Sequence, residues 1–243
     1  WPARGCGLVQ TLFSGILTAM IGLGTLLTAS AGTPTPVLEC PGIGVQVNAG
    51  SGADRVRVCA GAERAVAFLR SHGLETEDTI QVTLSDSAIG KHGAHIGLYD
   101  ASSRTVRFLS FKQAVAQCEK QSPFRTPMDE ALYTSFATHE IAHAIVEQHI
   151  QPASNQRIAH EYIAYVAQIA TMPAEKRLAI LQNYDISAFE GPENMSLTYY
   201  ELDPNAFGVK SYKHFQKLPD QKAFLLALLS GKIRTGGSRG DRW

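Results

Sequence analysis

Residues 135–149 read SFATHEIAHAIVEQH, and three histidines and two glutamates stand here among largely apolar neighbours. No Gly or Pro interrupts the chain between Pro127 and Pro152. Thr126-Pro127-Met128-Asp129 reads as an N-cap, a Pro at the first helical position and an acid in the first turn. The pattern predicts one helix from there to about His149, with Pro152 limiting its far end. Phe136, Ala137, Ile141, Ala142, Ala144 and Ile145 are uncharged, which suits a helix running through an interior. An ionised group buried unpaired is strongly disfavoured. Any fold that buries this helix therefore has to compensate its imidazoles and carboxylates.

His139-Glu140-Ile141-Ala142-His143 has the form H-E-x-x-H. Residues four apart on a helix lie about 40° apart around its axis, so both imidazoles can reach one metal ion. Glu140 stands about 100° round from His139, beside such an ion, where it can take a proton from water. Composition alone produces this pattern in roughly one chain in a hundred, and the competing reading is a surface helix with incidental His and Glu. A catalytic zinc takes three protein ligands. His149 has the spacing of H-E-x-x-H-x-x-G-x-x-H, but Val146 stands where the turn needs Gly, and a β-branched residue resists positive φ. Glu161 falls on the next predicted helix, 155–172, on a stripe with Ile158, Tyr165 and Gln168. Glu201, in YYELDPN, is the third candidate.

Before this helix the chain reads as a lead-in rich in Pro and Gly (AGTPTPVLECPGIG). A segment at 56–74 starts strand-like and becomes helical, a half-buried strand follows at 79–86, and a hairpin at 94–111 turns at Asp100-Ala101-Ser102-Ser103. His92 and His95 fall in the turn before that hairpin, and FKQAVAQCEK reads as a short helix. After 172 come a helix following Pro173, a looser segment at 186–205, and helices at about 204–217 and 219–230. Strands and a helix first, then helices, make an α+β arrangement, with residues 32–243 as one domain. Lys+Arg and Asp+Glu both number 22, so no basic excess points to nucleic acid.

Residues 1–31 differ in kind. Arg4 is their only charge, Leu8–Leu27 is apolar with a few small polar residues, and Ala29-Ser30-Ala31 closes the run. This reads as a secretory signal peptide, with an uncleaved membrane anchor as the alternative. A secreted or periplasmic location is expected, with membrane association only if this segment stays attached. In an oxidising compartment Cys40 and Cys59 pair, leaving Cys118 as a buried thiol.

HEIAH together with a Glu on the following helix resembles the zincin metallopeptidases, and among them the gluzincin type, over about residues 126–170. The resemblance implies a zinc cofactor held by His139, His143 and Glu161, with Glu140 as general base. It also implies a sheet ahead of the motif helix whose edge strand lines a cleft for extended peptide, the partner being a peptide or protein substrate. One departure is visible: four residues after the Glu the gluzincin type often has an Asp that fixes a ligand His, and here Tyr165 stands there. A peptidase also needs a donor for the oxyanion, and Tyr199, Tyr200 and His214 are the downstream candidates. The expected activity is hydrolysis of peptide bonds. Two alternatives are a zincin-like envelope protein that binds zinc or a partner without turnover, and a metal-free, membrane-tethered structural module.

Overall fold

A computed structural model describes residues 37–90, 95–119, 121–150 and 157–236. The segment read as a signal or anchor, and His92, lie outside the described residues. Among the described residues no helix is long and apolar enough to cross a membrane.

The lead-in and the residues just after it form two short strands where none is expected. β1 (Val37–Cys40) and β2 (Val45–Asn48) pair antiparallel around a turn at 41–44 in which Gly42 and Gly44 take positive φ. Four residues are too few for an alternation to stand out beside Pro and Gly, although Val45 and Val47 point inward. Helix α1 (Gly52–Ser71) follows, capped by Ser51, whose hydroxyl accepts from the Asp54 amide at 3.1 Å. The strand-like reading at 56–59 is thus corrected: Val58, Ala62, Ala65, Val66 and Leu69 form the buried stripe of this helix. A cap just upstream and packing against a second helix outweigh the local β-propensity of VRV. Cys40 and Cys59 are joined as expected, tying β1 to α1 across 19 residues. The expectation for Cys118 is corrected: it is buried but disulfide-bonded, and its partner lies outside the described residues.

Strand β3 (Ile80–Ser85) lies parallel to β2, with α1 as the crossover. β4 (Gly97–Asp100) and β5 (Thr105–Leu109) form the predicted hairpin, its turn held by Asp100 Oδ1 accepting from the Ser102 amide at 2.9 Å and hydroxyl at 2.6 Å. The sheet order is β1-β2-β3-β5-β4, with β3 and β5 parallel, so β4 is an antiparallel edge strand. α2 (Phe111–Cys118) leads into a tight turn at 123–125. There Phe124 and Arg125 both take positive φ (53° and 57°), and the Asn183 side-chain amide donates to both their carbonyls at 3.2 Å.

The motif helix α3 runs Glu130–Glu147. Its start lies later than predicted because Asp129 is the cap, its Oδ1 accepting from the Leu132 amide at 2.8 Å. Every residue from Leu132 to Val146 is buried. α1 fits against α3 only because residue 61 is Gly, since a Cβ there would come within 2.5 Å of the Thr134 carbonyl and 2.7 Å of Ala137 Cβ. The helical half continues with α4 (Arg157–Ala170), α5 (Ala174–Gln182), α6 (Leu197–Leu202), α7 (Pro204–Phe215) and α8 (Gln221–Leu229). The architecture is mixed, a five-stranded sheet followed by helices, as the α+β expectation has it. α3 lies between the sheet hairpin on one side and α4 on the other, and α7 backs α4.

Candidate metal centre

His139 and His143 leave α3 one turn apart and face α4, where Glu161 meets them. His139 Nε2 and His143 Nε2 lie 3.0 Å apart, and Glu161 Oε2 lies 3.6 Å from the first and 3.7 Å from the second. A tetrahedral ion with bonds of about 2.0–2.1 Å needs its ligand atoms about 3.3–3.4 Å apart. The triangle matches that spacing. Glu161 Oε2 has no hydrogen-bond donor of its own, although the residue is only 1% exposed. A buried carboxylate oxygen without a donor, aimed at two imidazole nitrogens, is what a cation site looks like. His139, His143 and Glu161 thus form a buried group that could hold a metal ion.

The protonation of the rings suits ligation. His139 Nδ1 lies 3.1 Å from Gln168 Oε1, and Gln168 Nε2 donates to Ser135 Oγ at 3.2 Å. The Ser135 hydroxyl in turn donates to the Leu132 carbonyl at 2.6 Å. Gln168 Oε1 can only accept, so His139 carries its proton on Nδ1 and turns the Nε2 lone pair toward the cluster. Burial pushes the His139 pKa down to about 3, against the pull of the Gln168 hydrogen bond. Burial does the same to His143, down to about 3, against the pull of Glu161. Both rings are therefore neutral near pH 7, the form a metal needs. The second carboxylate behaves differently. Burial raises Glu140 well above the usual carboxylate range, the nearby Glu161 charge raises it further, and the Tyr99 amide opposes them. Burial also raises Glu161, against the pull of His143, Arg157 and Tyr200. A divalent cation removes the strain of holding both carboxylates ionised in one buried place.

Glu140 is placed by the edge strand. Glu140 Oε2 accepts the Tyr99 amide at 3.0 Å, while Oε1 has no partner. Gly97 makes room for this, since a Cβ at that position would lie 2.5 Å from Glu140 Cγ. An edge strand has amides not used by its sheet, and here one of them orients a candidate base.

A sequence profile described as a family of unknown function, DUF6639, matches residues 45–236. The chain belongs to this family. The matched span runs from β2 past α8, so the DUF6639 region contains every residue of the candidate metal centre. No curated protein and no solved structure matches the chain.

The DUF6639 fold brings some of the sequence candidates together and not others. Tyr200 is 1% exposed and stands close enough to Glu161 to act on its carboxylate, which places it beside the cluster. Tyr199 packs on Phe189, with Lys210 near its ring, and no described contact takes it to the cluster. His149 turns away: its Nε2 lies 2.7 Å from the Glu75 carbonyl and its Nδ1 3.8 Å from Glu77. Glu201 is 50% exposed and lies 3.4 Å from Arg157. His214 Nδ1 lies 2.7 Å from the Tyr162 hydroxyl, with which it shares a hydrogen bond. His95 forms a bridge with Ile89 ahead of β4. Tyr165 packs edge-on against His139, ring centroids 4.6 Å apart, but its hydroxyl bonds nothing. The orienting role falls to Gln168 instead, three residues further along α4. The sequence put Gln168 on the right stripe and gave it no role, because only the register between two helices shows which residue meets Nδ1.

Gln168→Leu is expected to weaken metal binding by about 10–100-fold while leaving the chain folded, because it removes the acceptor that fixes the His139 tautomer. Competition against a chromophoric chelator measures this.

Proposed function

We propose that this protein is an exported zinc-dependent metallopeptidase with a zincin-like fold. The observation that carries the reading is the convergence of two imidazoles from one helix and a carboxylate from the next, with Glu140 held beside them by the edge strand. The donor set, two nitrogens and one carboxylate oxygen, suits zinc with a position left open. An antiparallel edge strand next to the motif helix is where an extended peptide can add by backbone hydrogen bonds. The Cys40–Cys59 disulfide supports an oxidising, exported setting.

Zinc, when bound, supplies Lewis acidity toward water and toward the carbonyl oxygen. The chain's own residues do the rest. Gln168 and Ser135 hold His139 in the ligating tautomer. The Tyr99 amide fixes one Glu140 oxygen and leaves the other, Oε1, to take a proton from the attacking water. The water oxygen bonds to the carbonyl carbon. Glu140 then returns the proton to the amine nitrogen as the C–N bond breaks, giving a carboxylic acid and an amine. The elevated proton affinity of Glu140 suits an acceptor that must later donate. Tyr200 stands beside Glu161, so of the two tyrosine candidates, Tyr199 and Tyr200, it is the one assigned to donate to a developing oxyanion.

A second reading has its own observation. His139, Glu140, His143 and Glu161 are each no more than 1% exposed, and α6 sits on the cluster through Tyr200. A site so covered also suits a zincin-like envelope protein that binds zinc without turnover. Incubation with a mixed peptide library separates the two. The peptidase reading expects cleavage that stops on chelation and returns with zinc. Bound zinc with no cleavage of any peptide would leave only the second reading.

A further inference from the structure

We propose that Arg157 is the carboxylate-recognition residue of this site, and that the substrate is a peptide presenting its C-terminal carboxylate close to the bond cut. The proposal rests on the peptidase reading and extends it to a substrate class.

Arg157 opens the described part of α4 and stands one turn before Glu161, on the same helix face. Its guanidinium carbon lies 5.6 Å from the centroid of the Tyr200 ring, and Tyr200 neighbours Glu161. The Arg157 side chain is 22% exposed and that of Glu161 1%, so Arg157 stands where the buried cluster meets the surface. Its positive charge also lowers the pKa of both Glu161 and His143, as expected of a neighbour.

Its hydrogen bonds are incomplete. Nη1 reaches Glu201 Oε1 at 3.4 Å, longer than the roughly 2.7–2.9 Å of a charge-assisted bond, and Glu201 is half exposed. Nε and Nη2 are shielded from solvent and have no partner among the described residues. These two nitrogens make up one edge of the guanidinium fork, the edge that takes both oxygens of a carboxylate at once. Buried charged donors without an acceptor are costly, so this edge calls for a ligand. No described carboxylate supplies one: Glu201 meets only Nη1, while Glu161 is turned to the histidines. A planar anion arriving with the substrate completes the fork. A chain-terminal carboxylate and an Asp or Glu side chain share that chemistry, and the chain terminus is the form that always travels with a peptide bond a fixed distance away.

The test is calorimetric titration of the zinc-loaded, full-length Glu140→Gln protein with three short peptides of one sequence. One has a free C-terminus, one a C-terminal amide, and one an amide with an added Glu side chain near its end. The free acid should bind at least about tenfold more tightly than the amide, and in Arg157→Gln that ratio should fall to about one. Arg157→Lys, which keeps the charge and loses the fork, should lie between. Recovery of tight binding by the Glu-bearing amide alone would support the carboxylate site but reassign its source to a side chain. Equal binding of all three peptides, or of none, to the protein with Arg157 intact overturns the proposal, whatever the variants do. Cleavage of the free-acid peptide by the zinc-loaded protein with Glu140 intact, measured in parallel, fails separately if the peptidase reading is wrong.

Discussion

Glu140→Gln keeps its zinc and loses hydrolysis by about 10²–10⁴-fold in kcat, the size of a general base's contribution. The amide has nearly the shape of the carboxylate, and its oxygen can still accept the Tyr99 amide that now bonds Glu140 Oε2. Its NH2 group, placed where Oε1 now has no partner, cannot accept a proton from water. The substitution should not lower stability. Burial and the Glu161 charge both disfavour ionised Glu140, so neutralising the residue relieves a repulsion. Thermal unfolding of the apo protein should therefore show an unchanged or raised midpoint, while peptide turnover collapses. Full activity in this variant would remove Glu140 from the mechanism.

Glu161→Ala loses zinc affinity by more than about 100-fold, beyond the range seen when only an orienting partner is removed. It takes away the one carboxylate that closes the triangle with His139 and His143. It also removes a buried neighbour of the Tyr200 phenol. His143→Ala should do the same to the metal without touching Tyr200, so agreement between the two isolates ligation from packing. His149→Ala and Glu201→Ala should leave affinity unchanged, because those side chains are engaged with Glu75 and Arg157 instead. Chelator competition on the four variants ranks the three candidate third ligands directly.

The sequence made the centre of the site legible because helical spacing alone places His139, Glu140 and His143 relative to one another. Glu161 is the first of three candidates for the third ligand, from its stripe among uncharged neighbours on the next helix, and Val146 in place of a Gly counts against His149 without excluding it. What escaped depends on contacts between elements. The Tyr99 amide that holds Glu140 is a backbone group, and no residue type announces it. Gly97 and Gly61 read as ordinary glycines until the neighbouring side chain and helix are in place. Gln168 displaced Tyr165 as the His139 partner because α4 meets α3 in a register that puts the amide, and not the phenol, at Nδ1. In the fold, the 79–86 strand is legible from its alternation and the 94–111 hairpin from two apolar runs around Asp100-Ala101-Ser102-Ser103, and both are present. β1 and β2 were too short to show an alternation. The start of α3 was placed early because Thr126-Pro127 imitates a helix entry, whereas Asp129 caps the real one, with Lys176 bonding both Asp129 and Thr126.

The most direct measurement is diffraction from zinc-soaked crystals on either side of the zinc absorption edge. A single anomalous peak within about 2.0–2.2 Å of His139 Nε2, His143 Nε2 and a Glu161 oxygen is the predicted result. No peak at that point, or one held by residues other than these three, would contradict the proposed centre and the enzymatic reading built on it.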